Sequence, residues 1–510
     1  MKTSAKVLTI ATVLATTAAV SYVAQPTLTT PNTTDVLGAG SDPSTIVLST
    51  RIDRTEVDDV DTFGIRVVSP LNINCVSTGR SITFKVNDDV KRGIINIVQK
   101  SSDGTVRIGG EIENGTFCFA IDDKVTTGVV MYLADGIYFE MAPTAPGETI
   151  KWTPHHMSKL ACFNMPVVGE GAAVVPSTVP TVTTREKVPL LDSKPDAPVV
   201  LFMDFVGGSI QDPLWNGGKV IDAKPANYTA VQIKTAFDIC AERYSAFNVN
   251  VTTDATKYAK AAPKSRMRVI LTTTSNFMPN YGGYSFISSY KLSGISIYSS
   301  TIPCFAFVNN VGNERNAGEV AAHEMGHTFG LTHDGTSKLA YYTGQDGWAP
   351  IMGTSYGKSI TQWSKGEYAD ANNKQDDLSM IVANPNMGFT TTGNEKTPVV
   401  LGGTINATDV ISNSSSARYF TVRVVSTGTL SVNVTVPQFG ALNTVVEIRN
   451  GTAVLAKGNP IKNLNSSASA IVFPGTYTVK VYGEGEGNPV TTGYTAYGSI
   501  GKFILSGTLQ

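Results

Sequence analysis

Between about residues 45 and 165 apolar and polar residues alternate in short runs: TIVLSTRI, SITFKV, GTVRIGGEI, TFCFAI and GVVMYLADGIYFEM. A period of two marks strands with one face buried. Asp135-Gly136 separates two of these runs and is a residue pair favoured by tight hairpins. Residues 169–198 are rich in Pro, Thr and Ser and have no period, so they read as a linker. The continuous apolar run VVLFMDF (199–205) predicts a buried strand. Ile233, Ala236, Phe237, Cys240 and Tyr244 then share one helical face. FNVNVTT, MRVILTTT, GISIYSS and CFAFVNN read as further strands. A helix that Asn316 caps follows them, and a last helix starts near Ser364, where Ser364 and Glu367 have capping-box spacing. From about residue 398 the period of two returns in YFTVRVV, LSVNVTV, TVVEIRN, YTVKVYG and KFILSG. No helical pattern intervenes, which predicts a β-sandwich over 398–510.

This alternation makes the chain multidomain: β-rich over 22–168, α/β over 199–388 and all-β at the end. The length of 510 residues fits several cores. The net charge is −1 and there is no basic block, so nucleic acid has no electrostatic footprint here. Lys2 and Lys6 precede an apolar stretch from Val7 to Val20, with small residues at Ala19-Val20-Ser21. Residues 1–21 thus read as a secretory signal peptide, and the chain is expected outside the cell. The stretch falls short of the roughly 20 apolar residues of a membrane span, and no later segment supplies one. Nine Asn-X-Ser/Thr sequons, Asn32, Asn114, Asn227, Asn250, Asn406, Asn413, Asn433, Asn450 and Asn465, are candidate glycosylation sites.

The candidate chemistry lies in HEMGHTFGLTHD, residues 323–334, which holds three of the five histidines. His323 and His327 are four apart, so on a helix their rings share one face and can hold one metal ion. Glu324 projects beside that pair as a general base. Gly330 tolerates positive φ, which ends the helix and returns the chain so that His333 becomes a third ligand. Three imidazoles leave one position of a four-coordinate zinc open, as in catalytic sites.

HExxHxxGxxH resembles the metzincin zinc metallopeptidases, and Asp334 after the third histidine resembles their adamalysin/reprolysin-like branch. The likeness covers roughly residues 199–385, including FNVNVTT, Tyr281-Gly282-Gly283 and QWSKGEY. Met352 in APIMGTSYG stands where the resemblance implies the Met-turn. It further implies a mixed-sheet (α+β) catalytic domain over 199–388, one catalytic Zn2+, a structural Asp334, and peptide-bond hydrolysis in protein and peptide substrates. Residues 22–168 then become a propeptide, and the linker carries the activating cut near Arg185 or Lys187. The edge strand after Gly282-Gly283 is a candidate for pairing with substrate. SSSARYFTVRV and FPGTYTVKVYG are similar to the pre-peptidase C-terminal domain, which implies a module that binds a surface or polysaccharide.

Cysteine usage bears on latency. The five are Cys75, Cys118, Cys162, Cys240 and Cys304. In an exported chain disulfides are expected. Cys240 and Cys304 are a candidate pair, and a Cys75–Cys118 pair leaves Cys162 free as a candidate cysteine switch on the metal. Asp376 and Asp377 are candidate Ca2+ ligands without further support; a solvated helix face is the plainer reading. The alternative to an enzyme is a secreted adhesion or surface-binding protein with a degenerate peptidase domain, against which the intact Glu324 speaks.

Overall fold

The computed structural model describes residues 76–161 (without 88, 102–103, 123 and 146–148), 187–291, 297–298, 301–390 and 399–510 (without 402–403). It also gives the backbone of three short upstream strands, Thr45–Val47, Thr50–Arg51 and Ile65–Val67. The signal segment, Cys75, Cys162 and residues 169–186 of the expected linker lie outside the described residues.

The molecule is multidomain and mostly β. Its N-terminal part is an eight-stranded sheet: β1 (Thr45–Val47), β2 (Ser81–Val86), β3 (Asp89–Lys100), β4 (Val106–Ile112), β5 (Gly115–Ile121), β6 (Thr126–Tyr132), β7 (Ile137–Thr144) and β8 (Trp152–His156). The order follows the chain, and all pairs are antiparallel except β1 with β2. Asp135-Gly136 forms the expected turn between β6 and β7, with Gly136 at φ +67°. Alternation divides β5 between two cores. Phe117 and Phe119 pack with Ile82, Phe84 and Ile108 on one face. Cys118 and Ala120 pack on the other with Trp215, Tyr284, Phe286 and Phe305 of the following domain. Both faces of β5 are therefore covered, where the alternating run TFCFAI predicts only one buried face.

The middle domain carries a five-stranded sheet: β9 (Val199–Asp204), β10 (Val249–Thr252), β11 (Arg266–Thr272), β12 (Gly283–Tyr284) and β13 (Cys304–Phe307). The order is β10-β9-β11-β13-β12; only β12, at the edge, is antiparallel. Helix α1 (Ala230–Arg243) starts with a complete capping box between Thr229 and Gln232, and its expected apolar face is buried. It packs on helix α2 (Glu314–Thr328). Residues 187–193 run along this sheet, with Ser193 N donating to Val251 O at 2.9 Å.

Two expected helix starts move. Asn313, not Asn316, caps α2: its side chain accepts from Asn316 N at 2.9 Å, while the Asn316 side chain bonds Val311 O. The last helix, α3 (Asp377–Val382), begins well after Ser364 and is capped by Asp376. Ser364 instead donates its backbone N–H to the Asp377 carboxylate at 2.9 Å.

The C-terminal part holds two facing sheets. One contains Ala417–Val424, Thr444–Asn450 and Gly475–Gly483; the other contains Ile405–Ile411, Gly428–Thr435, Ser466–Val472 and Gly501–Leu509. Its core is continuous with that of the middle domain, one cluster joining Phe420, Leu442 and Phe503 to Met325, Met352 and Trp363. Among the described residues no helix is long and apolar enough to cross a membrane.

Candidate metal centre

Helix α2 places His323 and His327 one turn apart with ring centroids 4.6 Å from each other. The helix then stops. Gly330, at φ +101°, donates its N–H to His327 O at 2.8 Å, and Leu331 N reaches Gly326 O at 3.3 Å. These are the two bonds of a Schellman cap, which needs a residue of positive φ just past the helix. The turn brings the His333 ring to 4.7 Å from His327 and 5.6 Å from His323. The ligand atoms of all three lie within 4.8 Å of one another, and among the described residues this is the one such cluster of His, Cys, Asp or Glu.

The protonation pattern follows from the partners. His323 Nδ1 lies 2.8 Å from Ile351 O, and His327 Nδ1 lies 2.8 Å from Leu331 O. A carbonyl only accepts, so each Nδ1 holds the proton and each neutral ring presents a lone pair at Nε2. Those two Nε2 atoms face each other at 2.9 Å. Burial lowers the His323 pKa to about 4 and holds His327 and His333 well below the ordinary histidine range. Burial disfavours an added proton here, and the converging ring nitrogens form a set that a cation satisfies. Three neutral imidazoles, two already oriented through Nδ1, suit zinc.

Glu324 is fully buried beside this set. Ser285, just past edge strand β12, donates its hydroxyl to Glu324 Oε2 at 2.7 Å. Gly283 allows that approach, since a Cβ there would fall 2.4 Å from Glu324 Oε1. Met352 lies beneath the helix, where a Cβ on Gly326 would meet its Sδ at 2.8 Å. Asp334 ties the third-histidine segment to the Met352 turn: its N–H donates to Met352 O at 2.9 Å and its carboxylate accepts from Asn373 at 3.2 Å. Burial pushes the Asp334 carboxyl up to about 7.

Sequence reasoning missed Ser285, Gly326 and Tyr341. The Tyr341 ring packs 4.1 Å from His333, and its only signal was a tyrosine pair after the motif. Gly326 stands inside HEMGH, where the close passage of Met352 explains a glycine in mid-helix.

The expected Cys240–Cys304 disulfide is absent: both are free and buried. Cys240 packs from α1 into the apolar core, and the Cys304 thiol is turned onto Arg268 O at 3.6 Å in the neighbouring strand. Asp376 and Asp377 are committed elsewhere. Asp376 caps α3 and accepts from the Tyr497 hydroxyl at 2.7 Å, and Asp377 is buried against Ser364 N.

The family description "Metallo-peptidase family M12" (Reprolysin_5) matches residues 239–364, a span that contains His323, Glu324, His327, His333 and Met352. The match supports a metallopeptidase that acts on peptide bonds and uses zinc, and the histidine cluster fits that metal. No curated protein matches the chain. Among solved structures, the pre-peptidase C-terminal domain of a collagenase from Bacillus anthracis is 16% identical over 23% of this chain and 100% of its own, with a TM-score of 0.17. The lysozyme inhibitor PliG of Aeromonas hydrophila is 15% identical over 22% of this chain and 96% of its own, also at 0.17.

Proposed function

We propose that the chain is an exported zinc endopeptidase made as a zymogen, with Glu324 as general base. The observation that carries this reading is the convergence of three histidines, with the His323 and His327 Nε2 atoms 2.9 Å apart, beside a buried carboxylate. Zinc held by His323, His327 and His333 would polarise the scissile carbonyl and acidify the attacking water. Glu324 takes that water's proton and returns it to the departing amine. The antiparallel edge strand β12 leads directly into Ser285, so an extended peptide added along this edge passes the Glu324 carboxylate.

Latency has its own support. Ile287 N donates to Leu160 O at 2.9 Å, and Ala161 bridges Phe286 in antiparallel fashion. Met157, Leu160 and Ala161 are buried there, so the end of the N-terminal domain lies along the continuation of the edge a substrate would use. In this proposal Cys162, the next residue, supplies the latch thiol, and a cut in the linker near Arg185 or Lys187 frees the cleft. Thiol labelling of the full-length chain tests that part: Cys162 found in a disulfide overturns it.

The central test is Glu324→Ala. It should keep zinc at wild-type stoichiometry and abolish casein hydrolysis after activation. Activity retained in the variant sinks the assignment.

A further inference from the structure

The C-terminal sandwich reads from sequence as a module that binds a surface or polysaccharide. Its contacts also lead to the metal centre. Gln362, nearly fully buried, donates its side-chain N–H to Ala441 O of the sandwich at 2.7 Å and accepts from Trp348 Nε1 at 2.8 Å. Its backbone O accepts from Ile351 N at 2.9 Å. The Ile351 carbonyl in turn receives His323 Nδ1 at 2.8 Å. One sandwich carbonyl is thus joined to a metal-ligating ring through two residues.

Two further ties reach the same region. The Tyr497 hydroxyl of the sandwich accepts Leu378 N at 2.9 Å and donates to Asp376, occupying the first turn of α3. Arg243 sends one guanidinium nitrogen to Phe439 O of the sandwich at 2.8 Å. It also forks onto buried Glu319, one turn before His323 on α2, at 2.6 and 3.0 Å. The surfaces fit without slack: a Cβ on Gly498 would fall 2.5 Å from Trp363 O and 2.6 Å from Gln362 Cβ.

From these contacts we infer that the C-terminal sandwich is a permanent support of the metal centre, with Gln362 as the positioning residue that transmits it to His323. This rests on the zinc reading above. A ligand imidazole keeps its aim through the acceptor at its other nitrogen, and loosening such an acceptor typically costs about 10–100-fold in metal affinity. Here that acceptor is Ile351 O, and its strand is held from the sandwich side.

The test uses the zinc-loaded, full-length chain and follows zinc transfer to a chromogenic chelator, 4-(2-pyridylazo)resorcinol, well below the unfolding temperature. Gln362→Met removes both side-chain hydrogen bonds at similar volume. Gly498→Ala wedges the interface from the sandwich alone. Tyr497→Phe removes one hydroxyl and serves if either of the others fails to fold. Each folded variant should release zinc about tenfold faster or more. Val432→Ala, which thins the sandwich core away from the interface, should release it at the wild-type rate. Wild-type release from the folded interface variants, or equal acceleration by Val432→Ala, overturns the inference while leaving the peptidase reading intact. A wild-type chain that takes up no zinc overturns both.

Discussion

The Ser285 hydroxyl donates to Glu324 Oε2 across 2.7 Å, with both side chains fully buried. A hydroxyl in this place fixes the carboxylate rotamer against the edge strand. A hydrogen bond to a charged group contributes about 1.5–3 kcal/mol. Ser285→Ala should therefore lower kcat by about tenfold or more with KM little changed, whereas Glu324→Gln removes the base and costs about 10²–10⁴-fold. Steady-state kinetics on a quenched peptide separates the two, and an unchanged kcat in Ser285→Ala shows that the hydroxyl is dispensable.

Gly330 holds the turn that delivers His333. At φ +101° a side chain is strained, and its Cβ would also meet Ser288 Oγ at 3.2 Å. Gly330→Ala should cost about 1–2 kcal/mol of stability. Because the strain is local to the helix end, zinc affinity should fall with it. Urea unfolding and a zinc titration of the same preparation check both.

Leu160 is 5% exposed where the N-terminal domain meets the edge strand. Burying a leucine side chain contributes about 1.5–3 kcal/mol. Leu160→Asp withdraws that and adds a charge that prefers water. The uncut chain should then hydrolyse a small peptide at least about tenfold faster than the uncut wild type, while the fully activated enzymes should match. Equal basal rates would separate this contact from latency.

The candidate metal site is local in sequence: HExxH, Gly330 and His333 lie within eleven residues, helix periodicity aligns His323 with His327, and the glycine turn brings in His333. The apolar face of α1 was legible for the same reason. What escaped depends on contacts across long stretches of chain. Ser285 meets Glu324 from 39 residues away, and Gln362 meets Ala441 from 79. The cap of α2 was misplaced by one turn because Asn313 and Asn316 are equally good caps by type, and only the fold chooses Asn313. Ser364 and Glu367 have capping spacing, yet the Ser364 N–H is taken by Asp377 and the Glu367 carboxylate accepts from Thr495 of the sandwich. Cys240 and Cys304 are both in the domain core, but proximity in sequence context says nothing about where a thiol points.

Arg243 and Glu319 form an ion pair with each side chain only 3% exposed. Thr361 adds a hydroxyl to the carboxylate at 2.9 Å. Arg243→Met leaves the buried Glu319 charge without its cation, which should cost about 3–5 kcal/mol, whereas a paired Arg243→Met/Glu319→Leu change should recover most of it. Chemical denaturation of the two variants decides this, and a double variant no better than the single would show that packing rather than charge dominates.

Lys194 supplies a pH dependence away from the candidate metal centre. Its amine donates to Phe247 O at 2.8 Å and to the Thr390 hydroxyl, and burial, with the Lys502 charge second, lowers its pKa from 10.5 to about 8. With the folded pKa depressed, the unfolded chain binds more protons between pH 8 and 10.5, so this group's contribution to stability rises with pH across that window. Lys194→Met should abolish this rise. Plotted against pH, the wild-type minus variant difference in unfolding free energy should climb from about pH 8 to 10.5 and be flat on either side; a flat difference throughout would mean that Lys194 titrates as it does in water.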